Sequence, residues 1–368
     1  MWVSGNQLTA PDGRMGSMSV CPRSPGLATL ALLVCGCLPC PDPFYEFSAA
    51  KPQVRLPLDE APHCFGGGEW WYYTGRLTAD TGQEFGIETV IFHVPQLPIL
   101  LVTEAWAAHY AVTDVDGGQF YYDQAASIGP QWCSTGLGTG FDLGTPLVSM
   151  RGGNGQDSIE AAFADGRYAL HLALTDARGP VLHGDDGYVP YGAGGASFYY
   201  SRPRMDANGT LCVGDMTLNV SGQMWFDRQW GRDLDNPLQR WDWYSIRLDN
   251  GSDIMLFVFP GDVGQVAFGT LMPASSPASW ISAADFRITP SAVWVSPATG
   301  TEYEVGWQIE LPGQQMVLAL TAVVEEAELD ARATTQNTYW EGLCTVVGQS
   351  GDQAVTGYAY VEQANGGA

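Results

Sequence analysis

The feature that most constrains this chain is its punctuation. Short runs of apolar and aromatic residues are interrupted repeatedly by Asp- and Gly-rich turns. Tyr72 to Ala79 and Gln83 to Val94 flank Asp80-Thr81-Gly82, and Ala105 to Val115 and Gln119 to Ala125 flank Asp116-Gly117-Gly118. Ser158 to Ala164 and Tyr168 to Thr175 flank Asp165-Gly166-Arg167. Trp243 to Leu248 and Asp253 to Phe259 flank Asp249-Asn250-Gly251-Ser252, and Leu343 to Val347 and Ala354 to Val361 surround Gln349-Ser350-Gly351-Asp352. Gly and Asn reach the left-handed backbone that tight hairpin turns require, so each pair reads as an antiparallel hairpin. Only Glu325 to Ala333 predicts a helix. With 45 Gly and 12% aromatics, the composition also favours short strands over long helices. The chain is therefore expected to be all-β, as a sandwich or a closed meander barrel, and periodicity does not separate the two.

The hairpins contain a repeat. Glu69 to Leu77 (EWWYYTGRL) lies over Arg240 to Leu248 (RWDWYSIRL), pairing Trp70 with Trp241, Tyr73 with Tyr244, Arg76 with Arg247 and Leu77 with Leu248. Both copies run into a turn and another strand, which predicts an internal duplication, and 368 residues suffice for two domains, each with its own core. Strand alternation places Glu69, Trp71, Tyr73, Gly75 and Leu77 on one face, and Asp242, Tyr244, Ile246 and Leu248 on the matching face of the second copy. If the face ending in Leu points inward, each barrel carries a carboxylate near the start of an inner strand, beside aromatic residues.

Charge narrows the partners. Sixteen Lys plus Arg against 40 Asp plus Glu give a formal charge of −24, which repels nucleic acid and anionic membrane surfaces. The N-terminus predicts export. Arg23 precedes the apolar run Leu27 to Val34, and Val34-Cys35-Gly36-Cys37 has the small-residue-then-Cys pattern of a lipoprotein signal peptide. Residues 1–36 would be removed, Cys37 would carry lipid, and the proline-rich residues 37–57 would form a tether, so the membrane is met only through the lipid anchor. Leu38, in place of Asp after Cys37, favours the outer membrane within the bacterial cell envelope. Cys40, Cys64, Cys133, Cys212 and Cys344 remain, an odd number that allows at most two disulfides in an exported protein.

Seven blocks then carry a resemblance: Glu69 to Gly75, Ala108 to Ala111, His183-Gly184, Ser197 to Ser201, Trp225 to Gly231, Trp241 to Tyr244, and Tyr339 to Gly342. In this order they resemble the carotenoid 1,2-hydratase (hydroxyneurosporene synthase) and AttH-like family, over about Leu58 to Val361. The resemblance implies two tandem lipocalin-like β-barrels, an N-terminal domain of residues 58–235 and a C-terminal domain of residues 236–368. Barrels of this size enclose one apolar molecule. One branch of the family resembles enzymes that hydrate the terminal alkene of an acyclic carotenoid, whereas other members are exported proteins, some of them associated with transporters.

Alkene hydration without a metal or cofactor needs a strong proton donor, a surround that stabilises a carbocation, and a placed water. A carboxylic acid in an apolar barrel supplies the proton because desolvation keeps it protonated. Asp242 and Asp227 are the candidate acids, with Tyr244, Trp230 and His109 completing a catalytic set, and Trp71, Tyr73, Trp241, Trp243 and Arg228 are the expected ligand contacts. The competing structural reading makes Asp227 and Arg228 an ion pair at the barrel seam, the tryptophans core, and His109 a hydrogen-bonded core residue. Hydratases of the family resemble Asp-His-x-Trp where this chain has Asp227-Arg228-Gln229-Trp230, and arginine does not relay protons. His183-Gly184-Asp185-Asp186-Gly187 reads as a turn. No G-x-S-x-G, H-E-x-x-H or Walker loop is present. The leading expectation is thus a lipid-anchored carrier of an isoprenoid, fatty or polyketide-like molecule held within the barrels; the alternatives are a hydro-lyase or related cation-forming isomerase or cyclase, and an accessory of an export complex.

Overall fold

The computed structural model describes residues 53–63, 67–95, 104–129, 131, 140–191, 195–232, 240–259 and 266–364. The expected signal peptide, Cys37, most of the tether and the boundary after residue 235 lie outside them. Residue 54, within the expected tether, is packed: Val54 belongs to the first core, and its amide donates to the Asp186 carbonyl at 2.8 Å.

The described chain is antiparallel β throughout, with 3-10 turns at Leu58–Glu60 and Pro312–Gln314 as its only helical segments. It forms a sheet of twelve strands followed by one of ten. In the first, Gln119–Ile128, Ala105–Asp114, Glu84–Val94 and Glu69–Ala79 lie side by side, and Glu69–Ala79 then pairs with the sheet's last strand, Met216–Arg232. The order continues through Ala196–Val213, Tyr168–Asp176, Gln156–Ala162 and Val148–Gly153 to Phe141–Gly144. The second sheet repeats the scheme: Trp241–Leu248 pairs on one side with Asp253–Phe259 and on the other with its last strand, Gln353–Ala364. Pairing first strand to last curls each sheet into a lipocalin-like barrel.

The duplication is visible at this seam. Gly222 lies opposite Leu77 and Gly357 opposite Leu248, the two leucines that the repeat aligns. A Cβ on Gly222 would stand 2.1 Å from the Arg76 carbonyl oxygen, and one on Gly357 would stand 1.9 Å from that of Arg247. Both copies therefore need glycine where the closing strands approach.

Alternation fills each barrel. Trp71, Tyr73, Leu77, Tyr200 and Phe226 pack in the first core, and Tyr244, Ile246, Leu248, Trp307 and Trp340 in the second. A third cluster, with Tyr72, Tyr199, Trp225, Trp243, Phe257 and Tyr360, joins the outer faces of the two sheets. Burial of each such ring contributes on the order of 2–3 kcal/mol, enough to hold the sheets face to face. Asp253 adds a polar clamp, accepting from Arg178 at 2.8 Å and from Arg204 at 2.9 Å across the same junction. The segment expected to be helical is instead the short strand Glu328–Asp330 with a turn after it; Ala327, Leu329 and Ala331 are all buried, a period of two.

Candidate functional site

Strand pleating decides where space is left. Because Trp71 and Tyr73 turn into the first barrel, Trp70 and Tyr72 turn out of it, and Tyr72 stands in register with Asp227 on one side and Val90 on the other. In the second sheet Trp243 is in register with Glu362 and Phe257, and Glu362 with Glu341. These two outward faces meet around a cavity of about 420 Å³. Trp70, Tyr72, Phe92 and Asp227 form one wall and Trp241, Trp243, Phe257, Glu341 and Glu362 the other. Residues 334–337 border it as well.

Carboxyl groups dominate the polar part of this cavity. Glu362 is half-buried, and burial pushes it up to about 7, opposed by a hydrogen bond from Trp241 and reinforced by the charges of Asp227 and Asp242. Asp227 is 2% exposed. Burial raises it to about 7 as well, although three donors favour its ionised form. Tyr199 donates to Oδ2 at 2.5 Å, the Trp225 indole donates to Oδ1 at 2.6 Å, and the Ser201 hydroxyl also donates to Oδ1. Glu341 accepts from the Tyr72 hydroxyl across the junction, and burial, with the charges of Glu88 and Glu362, drives it well above the usual carboxylate range. Among the described residues, no Lys or Arg lines the cavity.

The residues expected from the sequence divide into three groups. Asp227, Trp241 and Trp243 line the cavity. His109 stands behind it, fully buried, with Nδ1 2.5 Å from the Tyr339 hydroxyl and Nε2 2.9 Å from the Thr334 hydroxyl. Burial holds its ring down to about 3, so it is neutral. The others lie inside the barrels. Trp71, Tyr73 and Trp230 are packed in the first core and Tyr244 in the second, which corrects the expectation that Tyr73 and Tyr244 face ligand cavities. Asp242 shares the inward face of Tyr244, as alternation requires, but lies outside the cavity wall, where burial, with the charge of Glu304, raises it to about 7.

Arg228 is corrected too. Adjacent strand residues point to opposite faces, so Arg228 and Asp227 form no pair. Arg228 points into the first barrel, donating to Glu69 and to the Ala61 carbonyl at 3.0 Å, with its guanidinium 3.8 Å from the Trp71 ring. Glu69 also meets the Nδ1 atoms of His63 at 2.8 Å and His93 at 2.6 Å. Burial opposes its ionisation, but Arg228 and the two histidines outweigh this and hold the carboxyl well below the usual range.

Several residues escape sequence reasoning: Glu362, Glu341, Tyr72 and Tyr199 on the cavity wall, and His183 behind it. A signal existed for Glu362, which follows Tyr358 and Tyr360 at a spacing of two and so ends an aromatic face in an acid. His183 is no mere turn residue. It is fully buried between Thr270 and Ser201, at 2.8 and 2.7 Å.

Comparison with known proteins adds the family context. The profile described as AttH-like matches residues 48–365. A crystal structure of a putative AttH from Nitrosomonas europaea is similar with a TM-score of 0.73 and 25% identity, covering 87% of this chain and 98% of that one. Kievitone hydratase from Nectria haematococca shares the fold with a TM-score of 0.67 and 18% identity, covering 86% of this chain and 94% of the other. Among curated proteins none matches the chain.

Proposed function

Because this chain belongs to the AttH-like family, we propose that it is a cofactor-independent hydro-lyase acting on an uncharged, apolar alkene held between its two barrels. The observation that carries this reading is the pair of carboxyls, Glu362 and Asp227, each raised to about 7 on an aromatic-walled cavity. Acids poised near neutrality suit general acid–base chemistry, which contributes about 10²–10⁴ in rate. A fold shared with a protein named a hydratase is consistent with it.

In this reading, protonated Glu362 gives its proton to one alkene carbon. The π electrons form the new C–H bond and leave a cation on the neighbouring carbon. The rings of Trp241 and Trp243 face that charge, each worth on the order of 1–2 kcal/mol where water is excluded, and this help is greater for the cation than for the neutral alkene. A water molecule adds through oxygen, and the carboxylate takes back the proton that the oxygen releases. A cavity wall rich in carboxyls disfavours fatty acids and diphosphates and fits neutral molecules.

A carrier using the same cavity would need the aromatic walls but not carboxyls poised for proton transfer, which is why the enzyme reading is preferred. Incubation with acyclic isoprenoid alkenes in heavy water tests it. Wild type is expected to yield a hydrated product with one carbon-bound deuterium, and Glu362→Gln to lose at least about 100-fold in rate. Equal turnover by the variant removes Glu362 from the mechanism; co-purifying lipid with no deuterated product favours the carrier. Export and acylation at Cys37 are proposed from the sequence pattern alone, and mass spectrometry of the mature N-terminus tests them.

A further inference from the structure

We propose that His183 is a positioning residue for Asp227, and that its ring changes tautomer whenever Asp227 gains or loses a proton. The basis is a continuous chain of hydrogen bonds that begins in the second barrel and ends on the acid in the first. Thr270, 3% exposed, meets His183 Nδ1 at 2.8 Å; His183 Nε2 meets the Ser201 hydroxyl at 2.7 Å; and Ser201 donates to Asp227 Oδ1. His183 and Ser201 are each 0% exposed. The acid–base reading of the cavity is needed only for the catalytic consequence of this chain, not for the chain itself.

Proton counting fixes the direction of each bond. When Asp227 is ionised, Ser201 spends its single proton on the carboxylate, so its oxygen must accept from His183 Nε2–H. The ring nitrogen Nδ1 is then bare and accepts from Thr270. When a proton enters at the Thr270 end, Thr270 passes its own to Nδ1, Nε2–H passes to Ser201, and the Ser201 proton passes to Asp227 Oδ1. Each of the three bond lines still holds one proton, shifted to its other side. The carboxyl has gained one proton from solvent, Ser201 and Thr270 keep one each, and His183 has exchanged Nε2–H for Nδ1–H without becoming charged.

The second oxygen of Asp227 is held by Tyr199. Its partner Tyr199 already accepts from the Trp243 indole at 2.9 Å and donates to Oδ2. A proton on Oδ2 would oblige the phenol to turn its own hydrogen away from the carboxyl; the indole beside it only donates, and its other neighbour is Ser201, itself a link of the same chain. Along the chain through His183 a proton resting on Oδ1 leaves every bond in place. The groups facing Asp227 are Tyr199, Ser201 and Trp225, with Glu362 across the cavity; His183 has Tyr199 against it, ring centres 4.2 Å apart. Arg228 is on the far face of its strand. Burial keeps the His183 ring down to about 3, so the ring stays neutral while the acid titrates.

Nitrogen-15 NMR of the histidine-labelled protein reads the tautomer directly. Wild type is expected to show Nε2–H at pH 9 and Nδ1–H at pH 5, with a midpoint coinciding with that of the Asp227 carboxyl followed by infrared difference spectroscopy. In Ser201→Ala, which cuts the chain beside the ring, the tautomer should no longer follow pH. One unchanged tautomer at both pH values in wild type overturns the proposal, and so does switching that persists in Ser201→Ala. Neither readout requires turnover: a protein with no hydratase activity but a switching His183 would sink the proposed function and leave this inference standing.

Discussion

Replacing Glu69 by Gln removes the charge that Arg228 depends on. Arg228 is 0% and Glu69 1% exposed, so the variant leaves a cation in the first barrel without its counter-charge. Breaking a buried pair from one side costs about 3–5 kcal/mol. The lower end applies here, because Arg228 keeps the Ala61 carbonyl at 3.0 Å and the Trp71 ring at 3.8 Å. About 3 kcal/mol lowers the thermal midpoint by about 6 °C or more. The loss also has a pH signature. Since the Glu69 carboxyl is lowered in the folded protein, its stabilisation is complete above the unfolded value of about 4.3 and disappears as pH falls through the folded one. Urea unfolding of wild type and variant at pH 7 and again below pH 4 should show the gap closing in acid. Combining Glu69→Gln with Arg228→Met should recover most of the loss, since a well-packed apolar replacement relieves both desolvation costs. A Glu69→Gln protein within about 1 kcal/mol of wild type at pH 7 would refute the reasoning.

The cavity acids have the opposite sign. Asp227 is raised to about 7 on folding, so the protein should lose stability as pH rises from about 4 to 7, by up to about 4 kcal/mol from this group; Glu362 is half-buried and adds less. Asp227→Asn should flatten that pH dependence in denaturant titrations, and an unchanged slope would contradict it. Trp243→Phe removes the indole bond to Tyr199, 2.9 Å long, and should cost about 1 kcal/mol or somewhat more in unfolding free energy. Gly222→Ala and Gly357→Ala should each destabilise by about 3 kcal/mol or more, because their Cβ atoms meet backbone carbonyls at 2.1 and 1.9 Å; tolerance of either would mean that the seam relaxes.

Much of the fold is legible because it is local. Turn residues mark the hairpins, and a period of two correctly turns Tyr73, Leu77, Tyr244 and Leu248 inward. The guest's place is not legible, since alternation assigns a face without showing which face has room. Large rings pack within both barrels, and the cavity opens where Trp70 and Tyr72 of one sheet meet Trp243 and Glu362 of the other, contacts far apart in sequence. Asp227 and Asp242 look alike in sequence, each within an aromatic block, yet pleating sends the first to the cavity and the second into its own barrel. In sequence Arg228 stands as a departure from the Asp-His-x-Trp pattern, but its structural partner is Glu69, 159 residues away. The segment 325–333 misleads because its acidic residues suit a helix, while Ala327, Leu329 and Ala331 follow a strand's period.

A crystal structure of the protein with a bound neutral isoprenoid alkene locates the site without reference to any rate. The ligand should lie between the sheets, against Trp243 and within reach of the Glu362 carboxyl. A ligand lodged among Trp71 and Tyr73, or beside Tyr244, would contradict the account.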